Sequence, residues 1–242
     1  MTLLGAFRRI APYVITNRLR ILFFRIGGIS VGSGCRIARG VRIGKHATIG
    51  NYAQISGNAV IGSDTCLGQN VRVRANTKVV NSHVDGNVFI GESSIVQCAD
   101  IGSNSMIEYG VVMLGVNRGR RIRIGDNSYI GVNNILDFSD DIVIGDYVHI
   151  AGASTGLWTH SSINTAISGK AVNDQKSKSY GSIKIQNYCW IGGNCTIYPG
   201  VTVKEYSVIL PNSVVNADVE GNIMVGGVPA RKIKDINLNV NP

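Results

Sequence analysis

Acidic residues are missing from the first quarter of this 242-residue chain: residues 1–63 hold nine Lys or Arg and no Asp or Glu. Charge is scarce throughout, at 16% against about a quarter in ordinary soluble domains. Aromatic residues make up only 7%, so the core is built from short aliphatics. Five cysteines form no CxxC pair and make an odd count, which excludes a disulfide framework and predicts a reducing, cytoplasmic setting. No long apolar run exists. Ile10 to Ile26 is interrupted by Pro12, Arg18, Arg20 and Arg25, short of the ~18–20 clean residues of a spanning helix. The Leu3-Leu4 patch precedes Arg8-Arg9, the wrong order for a signal peptide. No low-complexity tract appears, and a hydrophobic fraction of 44% excludes disorder.

The net charge of +9 resides entirely in residues 1–63, because residues 64–242 carry fifteen basic and fifteen acidic side chains. That asymmetry speaks against a protein laid along nucleic acid. It leaves a local basic face for acidic lipid, an anionic substrate or another subunit.

What the chain does have is 30 glycines and a period of six. Aliphatic residues recur at Val31, Ile37, Ile43, Ile49, Ile55, Ile61, Leu67, Val73 and Val79. Often a Gly follows, and a small or β-branched residue fills the fifth place, as at Cys35, Ala47, Ala53 and Thr65. After one-residue slips the pattern resumes at Val84, Ile101, Ile124 and Ile144, and finally runs from Ile185 to Val215. Neither a helix (3.6) nor a plain strand (2) has this period. A three-faced solenoid does: each hexad is a short strand and a turn, and three hexads make an 18-residue coil. About eight coils, roughly 40 Å tall at ~4.8 Å per strand, are predicted.

Hexads such as Ile43-Gly-Lys-His-Ala-Thr48 and Ile49-Gly-Asn-Tyr-Ala-Gln54 resemble those of the hexapeptide-repeat acyltransferases. The resemblance implies an all-β fold, a left-handed parallel β-helix with a short helical N-terminal cap and a C-terminal tail or helix. Three segments follow: a basic helical cap at 1–26, the β-helix at 27–222 and a tail at 223–242. Within the cap, Thr16 to Ile26 reads as an amphipathic helix with Leu19, Leu22, Phe23 and Ile26 on one face. It serves as an end cap, a peripheral membrane contact or a partner-docking segment.

Function is expected where the period breaks. One break, 115–121, reads GVNRGRR, with arginines at 118, 120 and 121; the other, 155–182, contains Trp158, Thr159 and His160. A loop this long inside a compact domain is usually functional. His160 is the candidate base: it follows the last regular coil before the loop, beside Trp158. The other histidines fall on scaffold positions, His46 at a variable surface place, His83 at a corner, His149 facing outward. The separations of the four histidines, 37, 66 and 11 residues, offer no three-His zinc site of the γ-carbonic anhydrase type, and no metal is expected.

From Ile124 to Lys234 the chain resembles the maltose and galactoside O-acetyltransferase branch of that family. The matching stretches are IGDNSYIG, IGDYVHIAG, the His-bearing loop, WIGGNCTIYPGVTV from Trp190, and Gly227-Val-Pro-Ala-Arg231. The resemblance implies acetyl-CoA as co-substrate, a trimer with sites between subunits, His160 as general base and the Gly193 backbone N–H as oxyanion donor. A neutral imidazole, with unperturbed pKa near 6.5, suits the removal of an alcohol's proton. Coenzyme contacts carry over to Trp190, Gly193, Pro211, Asn216, Arg231 and Lys234. One departure is Ala217, where the family has a basic residue. The family's acceptor Asn falls on Gly131, with Asn133 and Asn134 beside it. Its carboxylate falls on Ser139, with Asp137 and Asp140 nearby to bind the acceptor or orient His160. Trp158 would wall the acceptor pocket.

The expected function is O-acetylation of a sugar or polysaccharide-precursor hydroxyl in the cytoplasm, at the inner face of the membrane if the cap touches lipid. Amino-sugar N-acylation and a non-catalytic β-helix binding column are the alternatives.

Overall fold

The computed structural model describes residues 3–116 and 119–237. Arg118 of the first break, the first two residues of the predicted cap and 238–242 of the tail lie outside the described residues.

Each aliphatic of the hexad is buried, and the residue before it faces outward, so the two-residue strands of the column have one exposed or half-buried and one buried side chain. Parallel pairing stacks the strands coil on coil into three sheets. The first face runs from Ser30–Val31 to Thr202–Val203 in nine strands. The second runs from Arg36–Ile37 in eleven, and the third from Arg42–Ile43 to Val214–Val215 in nine. Val31 pairs with Ile49 and Ile49 with Leu67, the 18-residue coil. The column therefore has nine complete coils. Coils interrupted by the two breaks continue the column, which is why it exceeds a count of regular hexads.

Turn chemistry is divided between two hexad positions. The fourth residue takes the left-handed conformation, as at Asn58, Asn70 and Asn76 (φ 59°, 61° and 58°), which asparagine tolerates better than β-branched residues. The Gly after the aliphatic serves a different need. At Gly50 a Cβ would lie 2.5 Å from the Gly68 carbonyl carbon, so adjacent coils approach too closely there for a side chain. The fifth residue points inward, and Cys35, Ala47, Ala53 and Thr65 are all buried. All five cysteines are free, and burial pushes the Cys189 thiol up to about 11, the behaviour of a packed small side chain.

Helices α1 (Leu3–Ile10) and α2 (Asn17–Ile26) cover the first coil, joined by a 3-10 turn at Ala11–Tyr13. The face of α2 differs from the expected one. Phe24 and Arg20 are its buried residues, while Leu19, Leu22 and Ile26 are exposed. The Arg20 guanidinium is held by the carbonyls of Val14, Ile15 and Ile37, and burial draws it below its ordinary pKa. These carbonyls belong to the chain entering the helix and to the first coil, so the arginine ties cap to column.

At the other end the tail is not helical. Ile223–Gly226 adds a parallel strand to the second face and Arg231–Asp235 returns antiparallel to it, covering a strand edge that would otherwise be unpaired.

Candidate active site

The long excursion leaves the column later than the sequence suggests. Gly156–Trp158 is a regular third-face strand, paired with Ile135–Asp137 on one side and Thr196–Ile197 on the other. From Thr159 the chain departs as an arm. His160–Ser161 pairs antiparallel with Ser179–Tyr180, helix α3 (Ile163–Ile167) caps the tip, and Gly181 N–H donates to the Thr159 carbonyl at 2.9 Å. His160 therefore stands at the root of the arm, where backbone pairing fixes it, with Tyr180 alongside at 6.2 Å between ring centroids.

A carboxylate holds the imidazole. His160 Nδ1 lies 2.5 Å from Asp137 Oδ2, and Asp137 is 8% exposed. Ser139 Oγ donates to the other oxygen of Asp137 at 2.7 Å. Thr159 Oγ1 donates to the Asp137 carbonyl at 2.6 Å and accepts from Asp140 N–H at 2.8 Å. Both carboxylate oxygens of Asp137 are thus engaged, Nε2 is the imidazole nitrogen not held by the carboxylate, and His160 lines a neighbouring cavity. That cavity, of about 280 Å³, is lined by Trp158, His160, Ser161, Ile163, Thr196, Tyr198 and Pro199. The Trp158 indole folds back over Gly156, where a Cβ would sit 2.4 Å from Nε1.

The remaining predicted acceptor residues separate. Asp140 accepts from Asp141 N–H at 2.8 Å and pairs with Arg120 at 3.3 Å, which brings the first break against the turn beneath His160. Asn134 is fully buried. Its amide oxygen accepts from Thr155 N–H at 2.7 Å and its nitrogen reaches the carbonyls of Ile150 and Gly152 at 3.4 Å. It staples a corner and presents nothing to a ligand, contrary to the expectation that it binds the acceptor. Asn133 is exposed but stands in the turn entering the third face, whereas Asp137 and His160 stand where the chain leaves it.

The predicted coenzyme residues divide in the same way. Gly193 occupies the entering corner, against Gly152, and its carbonyl accepts from Asn212 N–H at 3.0 Å, next to Pro211 in the following coil. The tail closes on this corner: Val214 N–H donates to Gly227 O and Ala230 N–H to Val214 O, so Arg231 emerges beside it. Lys234 lies on the exposed terminal strand, and Trp190 stands outward on the second face, in register with His149 and Val208. Asn216 follows the strand Val214–Val215, and so belongs to the leaving corner with His160. Within one chain, then, the candidate base and the candidate oxyanion donor lie at opposite ends of the third-face strands. Among the described residues no three His, Cys, Asp or Glu converge as a metal-holding group.

Tyr198 was not singled out by the sequence, and Ser139 was named only as the position of the family's carboxylate, yet one signal marks the region. The residue after the buried aliphatic on the third face reads Gly44 and Gly62 in the first two coils, then Val80, Gln97, Leu114, Asp137, Trp158, Tyr198 and Asn216. The glycine of the first coils gives way to larger side chains, among them Asp137 and Trp158.

Comparison with known proteins agrees with this architecture. The family model described as bacterial transferase hexapeptide (six repeats) matches residues 40–75 and 182–217. Galactoside O-acetyltransferase from Escherichia coli K12 is 33% identical over 143 residues, 57% of this chain and 64% of that protein, so the match spans less than two thirds of that relative. A hexapeptide-repeat-containing acetyltransferase of known structure from Vibrio cholerae is 33% identical, over 53% of this chain and 75% of that one, with a TM-score of 0.41. AntD, an N-acyltransferase from Bacillus cereus, shares the fold at 20% identity, over 72% of this chain and 84% of that one, with a TM-score of 0.53.

Proposed function

Because the chain belongs to the hexapeptide-repeat acetyltransferase family, we propose that it transfers the acetyl group of acetyl-CoA to a saccharide hydroxyl, with His160 as general base. The observation that carries this reading is the His160–Asp137 pair at the edge of a cavity. With Nδ1 committed to a carboxylate, Nε2 is the proton acceptor. As the acceptor oxygen attacks the thioester carbonyl, its proton passes to Nε2. The tetrahedral oxyanion rests on the Gly193 backbone N–H. Collapse breaks the C–S bond, and the imidazolium returns the proton to the departing thiolate, giving the ester and free coenzyme A.

The acceptor class follows the galactoside O-acetyltransferase similarity. A polysaccharide precursor fits a cavity walled by Trp158 and Tyr198, whose rings offer apolar faces beside hydroxyl groups. Asn133, at the entering corner, is the acceptor amide, and Asp137 positions the base instead of contacting the sugar.

The separation of the two corners favours sites shared between subunits. A closed three-fold assembly sets the leaving corner of one chain against the entering corner of the next at every interface. His160 of one subunit then meets Gly193, Pro211 and Arg231 of another. The arm is suited to reach across, since Ile163, Ile167 and Val172 are exposed on it. Arg231 and Lys234 would hold the coenzyme's phosphates.

A thiol-release assay with acetyl-CoA and a panel of oligosaccharides tests the reading. Acceptor-dependent release should fall by about 10² or more in His160→Ala, with acetyl-CoA binding retained. Equal release from both proteins would remove His160 from the reaction.

A further inference from the structure

Helix α2 is mounted inside out for a plain end cap. It buries Arg20, 3% exposed, and leaves Leu22 48% and Leu19 49% exposed. A buried guanidinium is costly unless its hydrogen bonds are met, and three main-chain carbonyls meet them here. The leucines could have covered the first coil, yet they face outward.

The exposed arc of α2 has an order. Leu22 lies at its centre, Arg18 and Arg25 on one flank, Leu19 and Ile26 on the other. Arg25 also bonds to the Val31 carbonyl at 2.7 Å, fixing the helix end on the column. The end of α1 and the link to α2 add Ile10, Tyr13 and Ile15, at 51%, 70% and 82% exposure. Edge-to-face contact of Phe7 with Phe23 packs α1 on α2, so the exposed apolar residues of both helices belong to the same end of the column. Around it, the first coil exposes Arg36, Arg39, Arg42 and Lys45, and no acidic residue occurs before Asp64.

We propose that this end of the column docks on an anionic lipid bilayer, with the aliphatic arc of α2 entering the headgroup boundary and the basic ring of the first coil lying on the lipid phosphates. Apolar residues flanked by arginines match the layering of a bilayer surface. A ring of one sign of charge matches an acidic leaflet. None of the helices among the described residues is long and apolar enough to cross a membrane, so the contact is peripheral. The surface stands at the opposite end of the column from the terminal strand bearing Arg231, and the inference does not depend on the acetyltransferase reading.

Vesicle flotation of the full chain tests it without any catalytic readout. Vesicles of phosphatidylcholine with phosphatidylglycerol should carry the protein, and phosphatidylcholine alone should not. Binding should weaken in high salt. Leu22→Glu should lower partitioning about tenfold, consistent with losing one leucine from an apolar contact, while circular dichroism and oligomeric mass stay unchanged. Failure to float with anionic vesicles, or flotation indifferent to Leu22→Glu, overturns the proposal. So does an oligomeric mass that drops in Leu22→Glu, because a second copy would then be the occupant.

Discussion

The Asp137 carboxylate sits where the hexad rule of the first coils would place glycine, and in the proposed mechanism its effect is exerted through His160. Accepting from Nδ1–H holds the imidazole in the tautomer whose Nε2 can take a proton. Asp137→Asn keeps the shape but offers an N–H to Nδ1, which moves the ring proton to Nε2. Its kcat should fall by roughly 10²–10⁴, the contribution of a positioned base, with the KM for acetyl-CoA little changed. In a His160→Ala background the same substitution should add no further loss, because the two residues act as one unit. A full additional loss would mean that Asp137 works by another route. The sequence offered Asp137 only as one of two acids that could orient His160. His160 is conspicuous near the start of a long break of the period. Asp137 lies 23 residues earlier, and only the coil register sets it beside the arm.

Among the coils, sequence and structure agree because the hexad is a nearly complete local code. The inward aliphatic, the close-approach glycine, the left-handed fourth residue and the small fifth each answer a separate steric demand. Gly50 tests this most simply. A methyl group there meets the Gly68 carbonyl carbon at 2.5 Å, and that obstacle is backbone, which cannot swing aside. Gly50→Ala should destabilise the fold by about 1–3 kcal/mol, as overpacking does, measured as a lower midpoint in denaturant. An unchanged midpoint would show that coils can separate at no cost. The code is silent where the chain leaves it. Apolar periodicity in Asn17–Ile26 predicts which residues share a face, but not that a buried arginine turns that face outward. The tail, too, was not readable as a strand, since Arg231–Asp235 has five exposed side chains and no buried apolar periodicity.

At the scale of the whole molecule, the decisive feature for the proposed site is that its residues divide between two corners of one face. Gly193, Pro211 and Arg231 gather where the third face begins; Asp137, Trp158 and His160 gather where it ends. The sequence could not reveal this, because spacing along the chain does not say which corner a residue reaches until the coils are in register. A column of parallel strands is stiff, and bending it to bring the corners together would break pairing along its length. In the proposed assembly, a second copy would supply the missing corner at no such cost.

Mixing two inactive variants measures this directly. His160→Ala retains an intact entering corner, and Gly193→Val retains an intact base. If each site takes its base from one subunit and its oxyanion donor from the next, co-refolded mixtures should regain about a quarter of wild-type turnover from random assembly of a cyclic oligomer. Mixtures no more active than either parent would place base and acyl group on the same chain and contradict the shared-site account.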